Sequence, residues 1–182
     1  LITNYVKTTY QAHVPLAVIG DTDILAAAPM EMITAGLGDI LGKYTCLLDW
    51  KMAHIITGEY YCSHIADMVK EAVEIVVEES TRIKDRNPEA IKAVTEALVL
   101  SGIAMSFVGN SRPASGSEHH LSHYWEMKFQ AEGKKPILHG IKVGIGMIAV
   151  TKMYETLENE QFDFASLKER SFDYAAWKKK VK

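Results

Sequence analysis

Helical periodicity runs through most of the chain and limits what it can fold into. Over residues 63–80, apolar side chains recur every three or four positions with charged side chains between them, which is the pattern of a helix that buries one face. Only residues 16–19, an apolar run between Pro15 and Gly20, are typical of a strand. One strand cannot form a sheet alone. The sequence therefore predicts a mainly α fold with one short strand near the N-terminus.

Glycine, proline and capping residues divide the rest of the chain into helices. The predicted helices are a short one that is capped by Asp23 and ends at Pro29, followed by residues 30–35, 39–57, 63–80, 88–108, 117–130 and 138–157. Gly36 and Gly38 are predicted to break the second helix from the third. Gly58 is a predicted C-cap, and Asn87 is a cap before the first-turn Pro88. Residues 81–86 and 109–116 are predicted loops.

Three glycines lie inside the last predicted helix, at Gly140, Gly144 and Gly146. Glycine in a helix interior costs roughly 0.5–1 kcal/mol relative to alanine. Their presence predicts either close contact with another helix or space for a ligand.

The composition is that of a globular protein and disfavours two classes of partner. The chain has 182 residues, 48% of them apolar, and a net charge of −3, which does not suggest binding to nucleic acid or to an acidic membrane. No uninterrupted apolar stretch is long enough to span a bilayer. Cys46 and Cys62 lack a CxxC spacing, so we expect free thiols and a cytoplasmic protein.

Histidines cluster in one predicted helix. His119, His120 and His123 fill three of five successive positions, and His139 follows a polar loop. Imidazole is a common ligand of catalytic metals and titrates near neutrality. His119 and His123 are four residues apart and share a helix face, whereas His120 points about 100° away. The cluster predicts a metal or catalytic site. The alternatives are a solvated polar face or one core histidine.

Two further residues are candidates for the same site. A catalytic metal has typically three protein ligands, and Asp39, which follows a Gly-Leu-Gly sequence, can supply a carboxylate beside His119 and His139. An acid there can equally cap a helix. Arg112 lies in a Ser/Gly-rich loop just before the histidine helix. That loop is either an anion-binding cradle or an ordinary exposed turn.

Three motifs in this order resemble a known family. They are AGLGDILGKY at residues 35–44, SRPASGSEHHLSH at residues 111–123 and LHG at residues 138–140. Together they resemble the sn-glycerol-1-phosphate dehydrogenases, most closely the bacterial type. These enzymes group with the iron-containing alcohol dehydrogenases, glycerol dehydrogenase and dehydroquinate synthase. The second motif is the specific one, because the other two indicate only the superfamily.

The resemblance implies a two-domain enzyme of which this chain is the helical-bundle part. Residues 1–22 would lead from an N-terminal α/β domain that binds NAD(P), and residues 23–182 would form the all-helical metal- and substrate-binding domain, truncated at its C-terminus. The implied metal ligands are Asp39, His119 and His139, with His120 left open as an alternative to His119. The metal would be zinc or nickel. The residues that bind NAD(P) would lie outside this sequence.

The resemblance also implies an activity: reduction of dihydroxyacetone phosphate by NAD(P)H to sn-glycerol-1-phosphate, a step in phospholipid biosynthesis. His123 would act catalytically, and Asp39, His123 and Arg112 would contact the substrate. We expect a cytoplasmic homodimer and an inactive isolated chain. The alternatives are a dehydrogenase of glycerol or another alcohol, a non-catalytic helical metal-binding or interaction module, and a lyase similar to dehydroquinate synthase.

Overall fold

The described residues of this computed structural model, 2–3, 6–10 and 12–161, form a helical bundle preceded by two short strands. Strands β1 (Ile2–Thr3) and β2 (Val6–Lys7) pair antiparallel. The helices are α1 (Thr22–Ala27), α2 (Met30–Leu41), α3 (Lys43–Thr57), α4 (Ser63–Glu79), α5 (Pro88–Val108), α6 (Ser117–Ala131) and α7 (His139–Asn159). The mainly α fold class is confirmed. The predicted helical domain, 23–182, extends past the described residues.

The strand near the N-terminus lies elsewhere than predicted. Residues 16–19 have no strand pairing, and the side chains of Leu16 and Ile19 are almost fully exposed. The strand pair joins residues 2–3 and 6–7 instead. An apolar run forms a strand only where a neighbouring backbone offers hydrogen-bond partners, and none of the described residues supplies one to this segment. The assignment of the strand to residues 16–19 is therefore wrong.

Most helix ends lie where local signals placed them. Gly58 and Gly109 end α3 and α5 with left-handed backbone conformations, at φ 73° and 77°. The side chain of Asn87 accepts hydrogen bonds from the backbone amides of Glu89 and Ala90 at the start of α5. The cap of α1 is Asp21 rather than Asp23. The predicted loop at residues 81–86 is instead mostly a 3-10 helix, Ser80–Asp85.

The predicted break at Gly36 and Gly38 is also wrong. Helix α2 continues through both glycines, and the interruption falls at Gly42. A Cβ atom added at Gly38 would collide with the backbone carbonyl of Gly140 in α7. Gly38 therefore allows α2 and α7 to approach closely, and tertiary packing overrides the low helix propensity of glycine.

Helix α7 is the element that organises the site. It packs along both α2 and α6, while α4 packs on α5 at the other side of the bundle. A Cβ atom at Gly140 would overlap the carbonyl oxygen of Ala35, and one at Gly146 would lie 2.7 Å from the carbonyl oxygen of Glu118. The prediction of close helix contact at these glycines is confirmed. The main apolar core lies between α2, α4 and α5.

Helix α5 is long and apolar enough to cross a membrane by length and composition alone. Core helices of soluble proteins pass the same test, and α5 contributes Ala90, Ile91 and Val94 to the main core. Its packing against α4 and α2 covers part of the helix, and 28% of its apolar window is buried.

Candidate metal centre

Three helices bring Asp39, His119 and His139 together. Asp39 lies near the end of α2, His119 in the first turn of α6, and His139 is the first residue of α7. One potential ligand atom from each residue lies within 4.8 Å of the other two. We call these three residues the inner group. His119 and His139 follow Asp39 by 80 and 100 residues in the sequence, and the packing of α7 on α2 and α6 brings the three side chains together.

The imidazoles of the inner group are oriented for a shared ligand. Nε2 of His119 is 3.3 Å from Oδ1 of Asp39, and Nε2 of His139 is 3.7 Å from the same oxygen. Nδ1 of His119 lies 2.8 Å from Oε1 of Glu118, and Nδ1 of His139 lies 3.3 Å from Oγ of Ser122. With Nδ1 engaged in each ring, both Nε2 atoms are directed toward Asp39. This arrangement is typical of metal-binding histidines.

Glu118 holds the His119 ring of the inner group in place. Its side chain is completely buried, and its carboxylate accepts hydrogen bonds from the Gly116 amide at 2.7 Å and the Thr45 hydroxyl at 2.7 Å. Burial opposes its ionisation, but these donors and His119 outweigh burial and lower the pKa of Glu118. An ionised Glu118 fixes the orientation of the His119 ring.

Lys43 holds the other oxygen of Asp39. Its ammonium group is 1% exposed and donates to Oδ2 of Asp39 at 3.1 Å and to the carbonyl of Ala114 at 2.9 Å. Burial would raise the pKa of Asp39, but hydrogen bonds from His119 and the charge of Lys43 hold it well below its usual value. Asp39 is therefore a carboxylate at neutral pH, with Oδ1 directed toward the Nε2 atoms of His119 and His139.

The donor chemistry of the inner group fits a divalent transition metal. Two imidazole nitrogens and one carboxylate oxygen form a typical catalytic zinc set, and nickel accepts the same donors. A cavity of about 260 Å³ lies beside Asp39 and His139. A cation bound to this group would therefore keep an open side.

A second set of donors adjoins the inner group. His123, Glu126 and His139 also offer ligand atoms within 4.8 Å of one another, and we call them the outer group. Burial, followed by the nearby charge of Lys7, lowers the pKa of His123 to about 4. Burial also lowers the pKa of His139. Both rings are therefore neutral at pH 7, which is the form that binds metals or hydrogen-bonds a substrate.

His120 and Arg112 lie outside both groups. His120 is exposed, as its position on the helix predicted, and lines a cavity of about 560 Å³ together with Arg112 and Asp49. The guanidinium of Arg112 donates from Nε and Nη2 to the carboxylate of Glu59, both at 2.6 Å. The structure therefore brings together Asp39, His119, His123 and His139 but places Arg112 on a different cavity.

The backbone amides of the loop before α6 donate hydrogen bonds to carboxylates of the protein itself. The Ser117 amide donates to Oδ2 of Asp49 at 2.5 Å, and the Gly116 amide donates to Glu118. Asp49 also accepts a hydrogen bond from the hydroxyl of Tyr154. The amides that an anion cradle would offer at this helix start already have anionic partners.

Sequence reasoning missed Lys43, Glu118 and Ser122. Two weak signals were present. Lys43 follows Asp39 at a spacing of four, which pairs charges on a helix, and Glu118 directly precedes His119. Neither spacing indicates burial, which is what makes these residues important.

The comparisons with known proteins agree with these motifs. The chain is 43% identical over 155 residues to a protein of Halalkalibacterium halodurans and 40% identical over 179 residues to one of Geobacillus thermodenitrificans. A protein of Methanosarcina acetivorans is 39% identical over 154 residues. All three are named glycerol-1-phosphate dehydrogenase with the qualifier NAD(P)+. The chain resembles the glycerol-1-phosphate dehydrogenases.

The match to glycerol-1-phosphate dehydrogenase covers most of this chain but less than half of each relative. The aligned parts are 85%, 98% and 85% of this chain and 39%, 44% and 42% of the three relatives. The chain thus spans about two fifths of the length of the curated relatives it matches. No family model matches it. The resemblance predicted from the three motifs is confirmed.

Proposed function

We propose that the chain is the metal- and substrate-binding part of an NAD(P)-dependent glycerol-1-phosphate dehydrogenase. The reaction would be the reduction of dihydroxyacetone phosphate to sn-glycerol-1-phosphate. The observation that carries the proposal is the convergence of Asp39, His119 and His139 on one point. The identity of about 40% to proteins of that name supports it.

The inner group would hold one zinc or nickel ion. His119 and His139 would bind through Nε2, because their Nδ1 atoms have other partners, and Asp39 would bind through Oδ1. A divalent ion supplies Lewis-acid polarisation of a ketone. Lys43 and Glu118 would keep the three ligands in place.

His123 would act on the substrate. It lies beside both other imidazoles, with ring centroids 6.2 Å from His119 and 5.4 Å from His139. Its low pKa keeps the ring neutral, so it would donate an N–H hydrogen bond to the oxygen of the reacting ketone. As that oxygen becomes a hydroxyl, the ring would relay a proton to it, accepting one from solvent at its other nitrogen as it gives up its N–H proton.

The rest of the active site would come from outside the helical domain. Residues 1–22 would connect residues 23–182 to an α/β domain, which would hold the NAD(P)H that supplies hydride. The isolated chain would then lack turnover. In line with the resemblance, we propose a homodimer in the cytoplasm.

The substrate phosphate raises a second candidate function. Arg112 was predicted to bind it, yet Arg112 is paired with Glu59 and would have to leave that carboxylate first. This observation favours testing a non-phosphorylated alcohol such as glycerol beside the phosphorylated substrate.

Metal analysis combined with turnover tests the proposal. We expect about one equivalent of zinc or nickel in the wild-type protein, loss of the metal in His119→Ala, and retention in the matched control His120→Ala. The protein carrying its nucleotide-binding domain should oxidise NADH or NADPH only with dihydroxyacetone phosphate. Turnover with glycerol alone would instead establish the second candidate. Absence of metal from the wild-type protein would refute both.

A further inference from the structure

The outer group is more exposed than the inner one. The side chains of Glu126 and His139 are 41% and 43% exposed. By contrast, those of Asp39 and His119 are 22% and 9% exposed. A cation arriving from solvent therefore meets Glu126 and His139 before it meets His119.

The two groups share one ligand. His139 belongs to both, and its ring centroid lies 5.1 Å from that of His119 and 5.4 Å from that of His123. A cation could therefore move from one group to the other without leaving His139. Only two ligands would change, His123 for His119 and Glu126 for Asp39. Each exchange replaces a donor with one of the same chemical type.

We propose that the outer group is a landing position through which a divalent cation reaches the inner group. The inference rests on the metal centre proposed above. The cation first binds His123, Glu126 and His139, and then exchanges His123 and Glu126 for His119 and Asp39. No bond to carbon and no oxidation state changes in this transfer.

The solvent exposure of the outer group makes it the weaker of the two positions. Oε2 of Glu126 is 3.6 Å from Nζ of Lys142, and the charge of Lys7 is also felt at His123. Lys142 is itself held by the carbonyl of Ile137 at 2.5 Å. Asp39 has an ammonium partner as well, Lys43 at 3.1 Å, so these partners do not rank the two groups. Glu126 is the more exposed carboxylate, 41% against 22%, and solvent screens its attraction for a cation more strongly. Weak binding allows the cation to move on.

Loading kinetics of Glu126→Gln give the first test. We would add Zn²⁺ or Ni²⁺ to metal-free protein and follow the rate at which the inner group fills. Removal of a carboxylate that attracts a cation lowers association rates by about tenfold or more, while the final content should remain one equivalent. Glu132→Gln, the same charge change at the far end of α6, should load at the wild-type rate. Equal rates for wild type and Glu126→Gln would overturn the proposal.

A variant that lacks the inner carboxylate gives the second test. Asp39→Asn should still bind one Zn²⁺, with an affinity reduced at least tenfold, because the cation stops at the outer group. Asp39→Asn combined with Glu126→Gln should bind none. If the single and double variants bind Zn²⁺ equally, the outer group is not a binding position.

These outcomes separate the landing position from the proposed function. If wild-type protein binds no metal, the proposed metal centre fails and the landing position fails with it. If wild-type protein binds metal through Asp39 but Glu126→Gln has no effect on loading, only the landing position fails.

Discussion

The inner and outer groups share His139 but differ in the contacts that hold their other ligands in place. In the inner group, Asp39 and His119 are each held by a buried charged residue, Lys43 and Glu118. In the outer group, Glu126 is 41% exposed, and its carboxylate lies 3.6 Å from the ammonium group of Lys142, which is also buried. Because each carboxylate has a buried lysine beside it, the difference teaches that close contact and burial of the ligand itself, and not the ligand types, fix the geometry. Changes at the inner group should therefore affect folding, and those at the outer group should affect mainly binding.

Replacement of Glu118 should have the largest effect on stability. Glu118→Ala leaves Thr45, the Gly116 amide and His119 without their acceptor in a dry environment. Loss of one partner from a buried charged network costs about 3–5 kcal/mol. Urea unfolding of the metal-free protein should show this decrease in the free energy of unfolding. Glu126→Ala, on the same helix and 41% exposed, breaks only the ion pair with Lys142 and should lower it by about 1 kcal/mol or less. Similar losses in the two variants would contradict the comparison.

The contact between α2 and α7 should be the next most sensitive feature. Gly140→Ala places a methyl group against the Ala35 carbonyl, and overpacking of this kind costs about 1–3 kcal/mol. The two helices must separate, so metal affinity should fall as well. Gly102→Ala is the control, because a Cβ atom there meets nothing within 4 Å. This substitution replaces a glycine in a helix interior and should raise the free energy of unfolding by about 0.5–1 kcal/mol. Thermal unfolding and zinc titration of both variants measure the contrast. A Gly140→Ala variant that keeps its metal affinity would show that the helices can adjust.

Lowering the pH should reduce the stability of the metal-free protein through protonation of His123. Its folded-state pKa is about 4, against 6.5 for an unperturbed histidine. Between these values the unfolded chain binds more protons, so the stabilisation is present above pH 6.5 and is lost as pH falls toward 4. His123→Gln should flatten this part of the stability curve. Histidine NMR signals should show one ring titrating near pH 4, and a midpoint near 6.5 for His123 would refute the burial argument.

The ion pair of Arg112 and Glu59 should give the smallest stability effect. Both side chains are about one third exposed, and such pairs contribute about 0–1 kcal/mol. Arg112→Ala and Glu59→Ala should therefore destabilise the protein slightly and equally. In the protein carrying its nucleotide-binding domain, only Arg112→Ala should raise the KM for dihydroxyacetone phosphate. Equal KM values would mean that Arg112 is purely structural.

Helix ends were predictable where one residue decides them. Gly58 adopts a left-handed conformation and Asn87 caps its own neighbours, and both effects are local. The break placed at Gly36 and Gly38 failed because Gly38 contacts α7, about 100 residues away, and Gly36 packs against Val94 and Leu98 of α5. The strand at residues 16–19 failed for a related reason, since strand formation depends on a partner elsewhere.

The candidate site was predictable in its ligands but not in its supports. Clustered histidines and the motif around Asp39 predicted the four residues that the structure brings together, and their roles in metal and substrate binding remain proposals. Lys43 and Glu118 were missed because on a sequence they look like ordinary charged helix residues. Only their burial, 1% and 0% exposed, distinguishes them.

The sequence by itself determined the helical class, most helix ends and the identity of the candidate ligands. These depend on periodicity, capping and side-chain chemistry, which act over a few residues. The tertiary structure alone decided that α2 stays continuous, that buried Lys43 and Glu118 orient Asp39 and His119, and that a second donor set adjoins the first. Those features arise where α7 packs between α2 and α6. Contact between residues distant in sequence is set by the packing of whole helices, and no local pattern encodes it.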